Sequence, residues 1–159
     1  MSETYKTGPD RTADAEGMDD HEPIRFDTKI AVLLHEDLEP WQALNVTAFL
    51  VSGIASADPE LIGEPYEDAD GQTYLPLIRQ PVVVLSGDSE RLTATHAKLL
   101  SRGMAMAVYT RDMFATGNDR DNRAAVRKVA TADLDLVGIA VRGAKNAVDK
   151  SFKGAALHA

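Results

Sequence analysis

Thr28-Lys29-Ile30-Ala31-Val32-Leu33-Leu34, running on through His35-Glu36-Asp37-Leu38-Glu39-Pro40 to Trp41, is the stretch that decides the architecture. A strand-length run of aliphatic and β-branched residues with no polar alternation predicts a strand buried on both faces, and so a central strand with helices on either side. Acidic residues and a proline just ahead of Trp41 are helix-start signals. From Trp41 to about Ala57, Leu44, Ala48, Val51 and Ala55 recur at three- and four-residue spacing, with Trp41, Phe49 and Leu50 beside them. That spacing predicts a helix packed on the sheet, with Trp41 opening its apolar stripe and lying in the core.

Working outward, Gly63 to Pro76 reads as two short strands around Asp70-Gly71, a dipeptide that tolerates the positive φ of a tight hairpin, and its prolines place it at an edge. Pro81 to Ser86 reads as a second buried strand, followed by a helix from about Ser89 to Arg102, capped by Asp88 or Ser89 and ended by Gly103. Met104 to Thr110 is the next strand, and the strand-helix-strand unit is expected to be parallel and right-handed. A polar stretch from Arg111 to Asn118 precedes a short Arg- and Ala-rich helix over 119–129. A last strand is expected over 134–141 and a last helix from Gly143 to about Phe152. The fold class expected is therefore α/β: three layers, α/β/α, around a mixed, mostly parallel sheet of about four core strands, plus a small edge hairpin.

A chain of 159 residues with 44% hydrophobic content suits one domain with one core. Residues 1–27 carry three basic and eight acidic side chains and few large apolar ones, which predicts a disordered acidic tail ahead of a single domain over 28–159. Residues 28–78 hold one lysine against nine acids, a net of −8. Residues 79–159 hold 13 basic and eight acidic residues, a net of +5. A nucleic-acid footprint is thus confined to the second half, and tRNA affinity would depend on Arg102, Arg111, Arg120, Arg123 and Arg127. With no cysteine there is no disulfide, thiolate metal site or cysteine nucleophile. No apolar run approaches the length of a membrane span, and the acidic N-terminus is unlike a secretory signal, so the expected setting is cytoplasmic, away from any membrane.

Lys29-Ile30-Ala31-Val32-Leu33-Leu34 with Asp37-Leu38, Pro81-Val82-Val83-Val84 with His96-Ala97-Lys98, and Val137-Gly138-Ile139-Ala140 together resemble the type II peptidyl-tRNA hydrolase superfamily. Within it, the chain looks like an uncharacterised bacterial group known only as a domain of unknown function. Asp112 followed by Thr116 resembles the aspartate and threonine of the hydrolases' active-site cleft. A carboxylate beside a hydroxyl can orient water towards a carbonyl. At the first helix, however, the chain reads Glu39-Pro40-Trp41-Gln42-Ala43-Leu44-Asn45-Val46-Thr47-Ala48-Phe49, without the lysine and histidine of the hydrolases. The resemblance therefore implies a cleft that is kept and reassigned.

The catalytic candidates are Asp112, Thr116 and His35; the ligand-binding candidates are Asp37, Trp41, Gln42, Asn45, Arg111 and Asn118. A histidine can act as base or acid and the amides can fix a polar ligand. Asp112 could equally cap its loop or pair with Arg111 or Arg120. Neither a metal nor a cofactor is expected, because no second histidine lies at ligand spacing and no glycine-rich phosphate loop follows the first strand. The reading favoured is a module that binds a small molecule or peptide in the cleft, without the original catalysis. Two alternatives are an ester or amide hydrolase, in which Asp112 and Thr116 converge with His35, and an interaction module acting as a homodimer. Transfer RNA is the less favoured partner.

Overall fold

The computed structural model describes residues 23–159. Most of the expected tail lies outside the described residues, and 23–27 run without regular structure into the first strand.

Strand β1, Thr28–His35, is central as expected: Ile30 to His35 are all buried. Its alternation sorts the core into two. Ile30, Val32 and Leu34 face helix α1 (Pro40–Ala57), whose Val46, Leu50 and Ile54 pack on them. Ala31 and Leu33 face the other way, towards Leu92 and Leu99 of α2 (Ser89–Ser101) and Val148 of α4 (Lys145–Ser151). Each such fully buried aliphatic side chain stabilises the fold by about 1.5–3 kcal/mol.

The sheet has five strands, in the order β5 (Met106–Thr110), β6 (Leu136–Ala144), β1, β4 (Val82–Gly87), β7 (Ala156–Leu157). Only β1 and β4 pair in parallel; β1 with β6, β5 with β6 and β4 with β7 are antiparallel. The expectation of a mostly parallel sheet with about four core strands is corrected accordingly. The unit β4-α2-β5 does run parallel, but β5 crosses over β1 to the far edge, and β6 inserts between them in the opposite sense. The two-residue β7 is too short to leave a periodic signal. The hairpin β2 (Tyr66–Glu67) and β3 (Thr73–Tyr74) turns at Gly71 (φ 82°) as expected, but it is a separate sheet rather than an edge of the main one. Its base is closed by a bridge between Ile62 and Ile78.

Asp88 caps α2 by accepting from Arg91 N at 2.8 Å, and Gly103 ends it at φ 63°. Two burial expectations are corrected. The apolar stripe of α1 runs through Ala43, Val46, Leu50 and Ile54, so Leu44 stays 74% exposed and Trp41 60% exposed. Strand β4 is only half-buried along its whole length, because its sole outer neighbour β7 pairs with Leu85 and Ser86 alone.

Among the described residues no helix is long and apolar enough to cross a membrane.

Candidate functional site

Leu34, Gly138 and Tyr109 lie in one row across β1, β6 and β5, near the carboxyl ends of β1 and β5. A Cβ on Gly138 would stand 2.5 Å from Val46 Cγ1 and 2.9 Å from Leu50 Cδ1, so the missing side chain lets α1 lie directly on the sheet here. This seating brings Trp41, Asn45 and Phe49, one helical turn apart on the flank of α1, beside β5 and the segment after it. That segment is a 3-10 turn, Arg111–Ala115, leading into α3 (Asp119–Arg127). The pairing register with β6 shifts between Tyr109 and Thr110, just where the chain leaves the sheet.

A groove results, walled by α1, β5 and α3. One part encloses about 560 Å3 between Phe49 and Gly53, Ala107 to Tyr109, and the side chains of α3 as far as Arg127. A second part, about 360 Å3, reaches Trp41, Asn45, Phe114, Thr116 and Asn118. The two share Phe49, Tyr109, Met113, Asp119 and Asn122 as walls. Tyr109 is the floor, 4% exposed, with ring centroids 5.1 Å from Phe114 and 5.8 Å from Phe49; Trp41 meets Phe114 edge-on at 6.0 Å. Such tilted and edge-to-face pairs hold aromatic rings in place beyond what their burial supplies. Burial pushes the Tyr109 phenol up, partly offset by the Asn45 amide facing it. Phe49 is 52% exposed despite its ring contact, so apolar surface stands open at the groove mouth.

The polar walls are largely spoken for. Thr116 Oγ1 lies 2.8 Å from the Met113 carbonyl and against the Asn122 side-chain amide. The Thr116 hydroxyl, with one proton to give, faces both the Met113 carbonyl and Asn122 Oδ1, so it is held within the wall and the Asn122 NH2 is left to the groove. Asn118 caps α3, accepting from Asp121 N at 3.0 Å and donating to Asp121 Oδ2 at 2.8 Å.

Of the nine residues expected to form a site, Trp41, Asn45, Thr116 and Asn118 come together in this groove. The other five do not. His35 follows Leu34 on β1 and points to the opposite face of the sheet, where its Nε2 bonds Ser89 Oγ at 2.9 Å at the start of α2. Its Nδ1 accepts from Asp37 N at 3.1 Å, so both ring nitrogens are engaged. The expected convergence of His35 with Asp112 and Thr116 is thus not formed, because strand alternation sends His35 to the α2 side. Asp37 is exposed, and Gln42 is turned back to accept from Glu39 N at 2.9 Å, capping α1. Arg111 pairs outward with Asp135 at 3.2 Å, and Asp112 is exposed and outside the groove walls. Sequence reasoning missed Phe49, Tyr109, Met113, Phe114 and Asn122. The usable signal was the composition of α3, DRDNRAAVR, which offers Val126 as its one large aliphatic side chain and so too little to seal the helix onto a core. Among the described residues no three His, Cys, Asp or Glu side chains gather to hold a metal ion.

A protein of unknown function from Agrobacterium tumefaciens, whose structure has been solved, is 48% identical to this chain. It superposes with a TM-score of 0.83, the alignment covering 85% of this chain and 100% of that one. No protein of curated function matches. The family model described as "Protein of unknown function (DUF2000)" matches residues 28–159, and the chain belongs to that family.

Proposed function

We propose that the protein is a binding module whose ligand lies in the groove between α1, β5 and α3, on the inherited cleft of a three-layer, type II peptidyl-tRNA hydrolase-like fold. The observation that carries this reading is the aromatic lining. Trp41 and Phe49 are 60% and 52% exposed, yet both are held in ring contact with the wall and floor of one elongated cavity. A solvated surface has no reason to gather and fix such rings, whereas ligand sites are mostly apolar concavities with a few placed polar groups. Asn45 and Asn122 supply those polar groups. The ligand is a small molecule or peptide with a planar or apolar body. Hydrolysis is the weaker reading: Thr116 is bonded within the wall, Asp112 is outside it and His35 is on the far face of the sheet.

The test uses an uncharged fluorescent probe, N-phenyl-1-naphthylamine, excited by transfer from Trp41, the single tryptophan of the chain. Saturable transfer is expected. Val126→Trp is expected to abolish binding, read from the probe's directly excited emission, because that position lines the cavity and no residue of α3 is buried, so a larger side chain fills the groove without crowding the core. Binding that is non-saturable, or that survives Val126→Trp unchanged, contradicts the proposal.

A further inference from the structure

Residues 119, 122, 123, 126 and 127 of α3 border the larger part of the groove. They stand at i, i+3, i+4, i+7 and i+8, the positions that carry the apolar stripe of a helix packed on a core. Here they are Asp119, Asn122, Arg123, Val126 and Arg127, and α3 has no buried residue. The helix therefore turns a largely polar face, with two arginines and one aspartate, towards an apolar trough made by Phe49, Leu50, Ala107 and Tyr109. The two walls do not fill the space between them.

Charge along this face is graded. Asp119 is at the amino end and is paired with Arg123 one turn on. Arg127 follows another turn on, and among the described residues it has no carboxylate partner. The remaining acid of α3, Asp121, is bonded by Asn118 and Arg120 at the amino end. The groove thus runs from an aromatic end at Trp41 and Phe114 to a lip holding Arg123, paired with Asp119, and Arg127, which has no carboxylate partner among the described residues.

We infer that the ligand of this groove is an anionic amphiphile: a carboxylate on an aromatic or aliphatic body, with the body on Tyr109 and Phe49 and the carboxylate at Arg127. This rests on the groove being the binding site. Guanidinium presents its donors as a planar fork that matches a carboxylate, and beside an apolar wall the charged bond strengthens.

The test is calorimetric titration of the full chain at low salt with naphthylpropanoate and with its uncharged primary amide. The acid is expected to bind at least about tenfold more tightly. Arg127→Gln is expected to bring the acid to the affinity that the amide has for the same variant. Lys128→Gln, a neighbouring cation outside the groove walls, is expected to preserve the difference. Equal affinities for acid and amide overturn the inference and leave the groove reading standing. Equal losses in Arg127→Gln and Lys128→Gln also overturn it, since diffuse attraction then suffices. Binding of neither compound removes both.

Discussion

His35 is the residue whose assignment separates a catalytic account from a structural one. Buried on the α2 face and bonded at both ring nitrogens, it ties the loop after β1 to the start of α2. Removing its ring leaves the Asp37 N–H and the Ser89 hydroxyl to find other partners, at a cost of about 1–3 kcal/mol. His35→Ala is expected to lower the urea midpoint accordingly while leaving probe affinity in the groove unchanged; a selective loss of binding with stability intact would refute the structural role. His96 gives a pH signature. Burial lowers its folded pKa below the ordinary histidine value of 6.5, so below that pH the unfolded chain takes up more protons than the folded one. The stability it contributes is complete above 6.5 and is lost as pH falls through the folded value. His96→Gln is expected to flatten that part of a stability-pH curve as pH falls below 6.5; a curve identical to wild type would contradict the assignment.

At the scale of elements, α3 is the least anchored of the α-helices. It buries no side chain and borders the groove along its length, so its backbone hydrogen bonds are expected to open without unfolding the rest. Amide exchange over 122–127 is therefore predicted to be fast in the free protein and slowed by a groove ligand, with β1 and β6 slow throughout. Uniform protection in the free state would mean that α3 is held by something other than what fills the groove. Element existence was largely legible. The two-sided run at Thr28–Leu34, the Asp88 cap, and the glycines at 71 and 103 each carry a local physical signal that needs no partner to read. The face of α1 was not legible, because Trp41, Leu44 and Phe49 look like core by composition and are withheld from it by how Gly138 seats the helix. Burial is a tertiary property, and periodicity alone placed the stripe a residue or more away from Ala43, Val46, Leu50 and Ile54.

For the whole molecule, strand order was the part sequence could not supply. The crossover from β4 to β5 reads as parallel from its local pattern, but nothing local says that β6 will fill the gap between β1 and β5 in the opposite sense. The same long-range choice decides the site. It sets Tyr109 beside α1 and opens the groove, and it leaves His35 and Arg111 serving the scaffold. Of the residues named in advance, Trp41, which read as core as well, Asn45, Asn118 and Thr116, named through the hydrolase resemblance, line this groove; Phe49, Tyr109 and Phe114 were not named, since aromatics with apolar neighbours in sequence read as core. The central claim, that the groove between α1, β5 and α3 is the binding site, is tested most directly by amide NMR of the full chain during titration with N-phenyl-1-naphthylamine. Shifts concentrated in 41–53, 107–118 and 119–127, with the Trp41 indole signal among the largest, are the predicted result. Shifts centred elsewhere, or spread evenly over the chain, would contradict it.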